Sequence, residues 1–313
     1  MKADLHFHTT LSDGRDSPDQ VLQNLSQAGV EFAALTDHDS ISDGFADELR
    51  ARWIGSIPAS EISTQFHGDR KVPLHMTAYA REFNPAARAM LERTRKGKTE
   101  KIRQQVAKLI EQRYPISYEW LLQWAQAKWY SPTALNNAHL SSYIYSIPAC
   151  AEKGNIDQQR RKSQPDRTGF LRECLSREGR NPIGAVEIPE YEPTTEEASR
   201  VMRNTGGVIS IAHPNFSWER YGGIAGLQRD IAQLVEQGVM GIELNALATP
   251  EWARVILEIR ERYNLLLTFW SDNHGEKTPS KKHGLLGQLN PYFLEDDTRV
   301  GYYLKRMKKV LGV

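Results

Sequence analysis

Short apolar runs that each end in a histidine or a carboxylate recur from the start of the chain almost to its end, and helical patterns separate several of them. The first is Ala3-Asp4-Leu5-His6-Phe7-His8, which leads into Thr9-Thr10-Leu11-Ser12-Asp13-Gly14. Side chains alternate between the two faces of a strand, so His6 and His8 point the same way. Asp13 follows in a loop beside a glycine, where the backbone can turn sharply. Two imidazoles and a carboxylate at a strand end make half of a metal site.

The pattern then repeats. Ser17-Pro18-Asp19 is a helix start, with a cap, a proline at the first helical position and an acid in the first turn. Phe32-Ala33-Ala34-Leu35-Thr36 ends at Asp37-His38-Asp39, and the run from Ile54 to Ala59 ends at Glu61. Val72 to Tyr79 carries His75 among apolar neighbours. A buried charge is costly unless paired or bound to metal, so Glu61 and His75 both need partners. Beyond residue 194, a helix leads to Val208–Ala212, which ends at His213-Pro214. Gly241–Asn245 carries Glu243, and Leu265–Trp270 ends at Ser271-Asp272-Asn273-His274. Unbroken apolar strands alternating with helices predict a parallel sheet or barrel covered by helices, with reactive groups at the C-terminal strand ends.

The rhythm is lost between about residues 84 and 193. Helical patterns fill this region, with a break expected at Arg95-Lys96-Gly97-Lys98 and an apolar stripe of Ile102, Val106, Leu109 and Ile110. The aromatic stretch Tyr114–Tyr130 reads as helical, and the polar stretch Glu152–Arg167 as a loop. The organisation expected is therefore a first barrel part at 1–83, a mostly helical insertion at 84–193, and a second barrel part at 194–313. Such insertions commonly cap a site and choose its substrate.

Composition narrows the function. With 313 residues, 40% of them hydrophobic and 25% charged, the chain has an ordinary globular composition. A formal charge of +1 offers no general surface for membranes or long nucleic acids. No apolar run approaches the roughly 20 residues that span a bilayer. The two cysteines, Cys150 and Cys174, lack metal or redox spacing, so free thiols are expected. With no basic-then-apolar leader ahead of the first strand, the expectation is a cytoplasmic protein.

Nine groups then stand at strand ends: His6, His8, Asp13, His38, Glu61, His75, His213, Asp272 and His274. That is too many for one divalent ion and suits a cluster of two or three with a bridging carboxylate. Here the chain resembles the PHP (polymerase and histidinol phosphatase) phosphoesterases. The matching motifs are Asp4-Leu5-His6-Phe7-His8 with Asp13, Thr36-Asp37-His38-Asp39, Glu61-Ile62-Ser63, His75, Ala212-His213-Pro214 and Ser271-Asp272-Asn273-His274. The resemblance implies a distorted (β/α)7 barrel and a trinuclear site of Mn, Zn or Fe. By the same resemblance, one ion would take His6, His8, Glu61 and Asp272, and a second Asp13, His38 and His274. The third would take His75 and His213 with the bridging Glu61.

The activity implied is hydrolysis of a phosphate ester by metal-activated water, with Asp13, His38, His274 and Asp37 at the reaction centre. Asp37 and Asp39 could orient a ligand imidazole, and Glu243 could do so from its strand. Within the family, the long insertion is similar to that of small nucleotide phosphatases and exonuclease-like enzymes. The substrate expected is a nucleotide mono- or bisphosphate or a short oligonucleotide end, with His139, Arg172 and Arg180 as candidates to hold it. The usual Gly-Arg-Pro-His-Ile-Ala reads Asn136-Asn137-Ala138-His139-Leu140-Ser141 here, without the phosphate-binding arginine, and the usual His-Pro-Gly reads His213-Pro214-Asn215. His67 and His283 are expected on the surface. Two competing readings are an amidohydrolase-type C–N hydrolase and a non-catalytic nucleotide-binding module. The oligomeric state stays open.

Overall fold

The computed structural model describes the chain apart from residues 159–164, 178, 189–190, 279–282 and 297. It divides into two compact units, Met1–Thr94 with Glu192–Val313, and Arg95–Tyr191.

In chain order the first unit begins with β1 (Ala3–Asp4), α1 (Pro18–Gln27), β2 (Phe32–Ala33), α2 (Phe45–Ala51), β3 (Gly55–Ser56), β4 (Ala59–His67) and β5 (Lys71–Tyr79). Helix α1 starts where its cap predicts. The Ser17 side chain accepts from the Gln20 N–H, the Gln20 side chain accepts from the Ser17 N–H, and Val21, Leu22 and Leu25 are buried. Helix α3 (Pro85–Glu111) passes from the first unit into the second, which holds α4 (Tyr118–Ala127), α5 (Asn137–Tyr145), α6 (Pro148–Asp157), α7 (Arg167–Phe170) and a π-helical turn at Leu171–Leu175. The first unit resumes with α8 (Thr195–Asn204), β6 (Val208–Ile211), α9 (Pro214–Ser217), α10 (Gly223–Glu236), β7 (Gly241–Asn245), α11 (Pro250–Arg262), β8 (Leu266–Trp270), α12 (Pro291–Leu294) and α13 (Thr298–Leu311).

The strands form a parallel three-stranded sheet, β1-β2-β3, and a five-stranded sheet, β4-β5-β6-β7-β8. The second sheet is mixed, which departs from the parallel order expected from sequence. β4 and β5 pair antiparallel along their full nine residues, β5 pairs antiparallel with β6, and only β6-β7-β8 is parallel. The cause is local. The short turn between His67 and Lys71 can only return the chain as a hairpin, because a parallel neighbour needs a crossover of a dozen residues or more. Backbone hydrogen bonds lace the two sheets together at both ends. Leu5 N–H donates to Phe269 O, His8 N–H to Asn273 O, and Asp272 N–H to His6 O. At the other end Asp39 N–H donates to Glu61 O, and His38 bridges Glu61.

Three further readings are corrected. Helix α3 runs through Gly97 without the expected break, since one glycine costs a helix only about 1 kcal/mol. The stripe holds for Ile102, Val106 and Leu109, which are buried in the core of the second unit, whereas Ile110 is exposed. The expected loop at Glu152–Arg167 is helical up to Asp157 and again from Arg167; residues 159–164 lie outside those described. Cys150 and Cys174 are buried free thiols of the second unit. No described helix is long and apolar enough to cross a membrane.

Candidate metal centre

Glu61 is the hub. It lies on β4, within the hairpin sheet, and is 1% exposed. Its Oε2 lies 3.2 Å from His6 Nε2, 3.2 Å from His8 Nε2 and 3.1 Å from His38 Nδ1. Its Oε1 lies 2.8 Å from His213 Nε2 and 3.1 Å from His75 Nδ1. One carboxylate thus meets five imidazoles. Around it, Asp272 Oδ1 approaches His8 Nε2 at 3.3 Å, and Asp13 Oδ1 approaches His274 Nε2 at 3.3 Å. All nine residues singled out in the sequence lie in the first unit and converge here. Their donor atoms form overlapping groups close enough to share ions, His8-Asp13-His38-His274, His6-His8-Glu61 and His38-Glu61-His75.

The backbone carries strain at these strand ends. His213 and Asp272 hold positive φ angles of 32° and 51°, and Asp39 holds 49°. Non-glycine residues pay for that conformation, and it concentrates where side chains are aimed for function.

Hydrogen-bond partners assign the ring protons. His6 Nδ1 lies 3.1 Å from Glu243 Oε1, so it donates there. Ser12 Oγ gives its proton to Asp37, and His8 Nδ1, 3.3 Å away, donates to Ser12 Oγ. Ser217 Oγ likewise donates to Ala212 O and receives the proton of His213 Nδ1 at 3.2 Å. His274 Nδ1 donates to Asp272 O at 2.8 Å. All four Nε2 atoms are left with lone pairs that face carboxylate oxygens, and His6 Nε2 and His8 Nε2 are only 3.1 Å apart. Lone pairs converging on carboxylates in a largely buried site repel unless a proton or a cation sits between them. Without a cation, protons take that place. Burial pushes the His8 imidazole down, but hydrogen bonds to Asp272 and Glu61 hold it up at about 10. Burial likewise opposes charging of His6, yet Glu61 and Glu243 raise it well above the usual imidazole range. Burial pushes Glu61 up, while His38, His6 and His75 hold it well below the carboxylate range. Six imidazoles and three carboxylates form the donor set of a divalent-metal centre; four of the rings, His6, His8, His213 and His274, have an outward Nδ1 proton fixed by a supporting partner, while His38 and His75 turn Nδ1 inward to Glu61.

The supporting layer is itself buried. Glu243 accepts from His6 Nδ1, from Thr77 Oγ1 at 2.8 Å and from the His213 N–H at 2.9 Å. Trp270 packs its ring against His6 and His213, with centroids 4.7 and 5.7 Å apart. The Asp37 carboxylate meets the centre through Ser12, its oxygens accepting from Thr9 N–H, Thr9 Oγ1 and Ser12 Oγ, and the Asp37 carbonyl accepts from the Glu61 N–H. Asp39 is buried and accepts from the Ser63 N–H and Oγ.

His139, Arg172 and Arg180 belong to the second unit. His139 is buried, accepts the Asn136 N–H at Nδ1 to cap its own helix, and packs edge-on to Tyr130. Arg172 lies in the π-helical turn, and Arg180 pairs with Glu173 at 2.9 Å. His283 corrects its surface assignment. Its Nδ1 is 3.2 Å from Asp272 Oδ2, and its ring lies 4.3 Å from that of His274. The sequence hid it because it follows a turn-rich stretch and not an apolar strand. Glu243 did leave a signal, a lone charge inside an apolar strand.

No family model matches the sequence. The chain is 30% identical over 289 residues to the phosphoribosyl 1,2-cyclic phosphate 1,2-diphosphodiesterase of Eggerthella lenta, covering 88% of this chain and 95% of that protein. It is 24% identical over 246 residues to the 3′,5′-nucleoside bisphosphate phosphatase of Chromobacterium violaceum, covering 77% and 75%. Its fold is similar to the crystal structure of a metal-dependent phosphoesterase from Bifidobacterium adolescentis, with a TM-score of 0.73, 23% identity and coverage of 97% and 96%. A similarity at that level, running through nearly the whole length of the Eggerthella protein, places the chain among the PHP metal-dependent phosphoesterases, hydrolases of phosphate esters.

Proposed function

We propose that the chain hydrolyses a phosphate ester of a small sugar-phosphate or nucleotide, a nucleoside mono- or bisphosphate or a short oligonucleotide end, with two or three divalent ions in the His/Asp/Glu centre. The observation that carries this reading is the convergence of five imidazoles on Glu61. Mn, Zn or Fe would suit the mixed nitrogen and oxygen donors. His6, His8, Glu61 and Asp272 would hold one ion, Asp13, His38 and His274 a second, and His75 and His213 with Glu61 a third. When bound, such ions supply Lewis acidity, which lowers the pKa of water and neutralises phosphoryl oxygens. The chain's own part is to fix that donor set. Glu243, Ser12 and Ser217 lock the tautomers of His6, His8 and His213, and the floor of the centre, His6, His8, Glu61 and Asp272, is buried while His75 is open to solvent on its rim. Asp37 acts at one remove, by holding the Thr9–Ser12 loop.

The distorted (β/α)7 barrel is part of the same proposal, supported by the hydrogen bonds that lace β1 to β8 and β2 to β4 through the residues beyond their ends. The names of the two relatives each contain a phosphorylated sugar, which favours a small substrate of that kind. His139 and Arg180 already have partners within their own unit, so the chemistry is assigned to the metal centre, and both remain candidates only for holding substrate. The test is a phosphate-release screen with added Mn(II) over nucleoside mono- and bisphosphates, sugar cyclic phosphates and short oligonucleotides, beside an amide panel read by ammonia release. Turnover confined to phosphate esters is expected. Ammonia release without phosphate release would overturn the reading.

A further inference from the structure

His283 stands outside the nine strand-end residues, yet the structure builds it into the centre. Its Nδ1 lies 2.9 Å from Asp272 O and 3.2 Å from Asp272 Oδ2. A backbone carbonyl can only accept, so Nδ1 carries the proton and shares it between that carbonyl and the carboxylate. The two oxygens of Asp272 are thereby divided. Oδ2 faces His283, while Oδ1 faces His8 Nε2 at 3.3 Å, His274 Nδ1 at 3.5 Å and His6 Nε2 at 3.8 Å.

The segment carrying His283 is tied to the same strand end. Gly284 N–H donates to Ser271 O at 2.6 Å, and Asn273 Nδ2 donates to Gly284 O at 2.8 Å. The Asp272 backbone is held in turn, with φ at 51° and its N–H on His6 O. What remains free in Asp272 is rotation of its carboxylate, and His283 is placed to stop it.

We propose that His283 is a positioning residue: its Nδ1–H pins Asp272 Oδ2 outward, so that Oδ1 is presented to a divalent cation beside His6 and His8. The inference rests on the metal reading above. An outer partner of a metal-binding carboxylate typically accounts for about 10–100-fold in affinity.

The test measures Mn(II) binding, by titration calorimetry, to full-length chain stripped of metal. His283→Ala should weaken binding by about 10–100-fold. His283→Asn should recover most of the loss, because the asparagine Nδ2–H can stand where the ring Nδ1–H stood, and both stripped variants should melt with the wild type. Unchanged Mn(II) affinity in H283A overturns the proposal. So does an H283N as weak as H283A, which would mean that the ring acts through another atom, and so does a loss that tracks unfolding of the stripped variants. A wild-type chain that binds no Mn(II) overturns the metal reading itself, and this inference with it.

Discussion

Glu61 is the residue on which the centre turns, because both of its oxygens are shared and neither is exposed. His8→Ala and Asp272→Ala each remove a donor from the rim of that hub. Phosphate release should fall by about 100-fold or more in either variant, beyond the 10–100-fold of an outer-layer change. Near-wild-type turnover in either would show that the ligand set is wrong. The His8 imidazole also makes metal-free stability depend on pH. Its folded pKa, about 10, lies above the ordinary 6.5. The stability this contributes is complete below about pH 6.5 and is lost as pH rises through about 10. His6 is shifted in the same direction. Chelator-treated protein should therefore melt lower at pH 10 than at pH 7, while metal-loaded protein, with a cation in the proton's place, should lose less. Equal melting of the stripped protein at both values would contradict the assignment. The nine strand-end residues could be picked out in the sequence because each follows or interrupts an apolar run. His283 could not, since it follows no apolar run and meets Asp272 only through the tertiary fold.

Among the elements, the β4–β5 hairpin and helix α3 show what periodicity leaves undecided. Apolar runs in parallel and antiparallel strands look alike when both faces are covered, so Ala59–Tyr79 gave no sign of its direction beyond the shortness of the turn. The hairpin matters to the site because it carries both Glu61 and His75. In α3, Gly97 reads locally as a helix breaker, but its reason is a tertiary contact. A Cβ there would lie 2.1 Å from Tyr191 Cγ, within the second unit. Gly97→Ala sets two effects against each other, a helix-propensity gain of about 1 kcal/mol and an overpacking cost of about 1–3 kcal/mol. The clash is with the root of the tyrosine side chain, which cannot swing aside cheaply, so the cost should win. Urea denaturation should show G97A destabilised by up to about 2 kcal/mol; a stabilised variant would mean that Tyr191 does not pack there.

For the whole molecule, the near-neutral charge and the two-unit division fit an enzyme whose chemistry is concentrated in one unit. Every one of the nine donors and their supporting partners Glu243, Ser12 and Ser217 belongs to Met1–Thr94 and Glu192–Val313. The gathering of these nine residues was thus legible from sequence, because a candidate metal site draws on a small set of residue types. Substrate choice was not, because specificity comes from shape and from single polar contacts that carry no periodic signature. Binding of cations to the folded state alone should also stabilise it, so saturating Mn(II) should raise the melting temperature of stripped protein, and a chelator should reverse the rise. The most direct measurement is phosphate release from a nucleoside bisphosphate by stripped, Mn(II)-reloaded and Glu61→Gln protein in parallel. Activity should be absent when stripped, return on reloading and stay absent in E61Q; full turnover by stripped protein, or by E61Q, would contradict a metal centre built around Glu61.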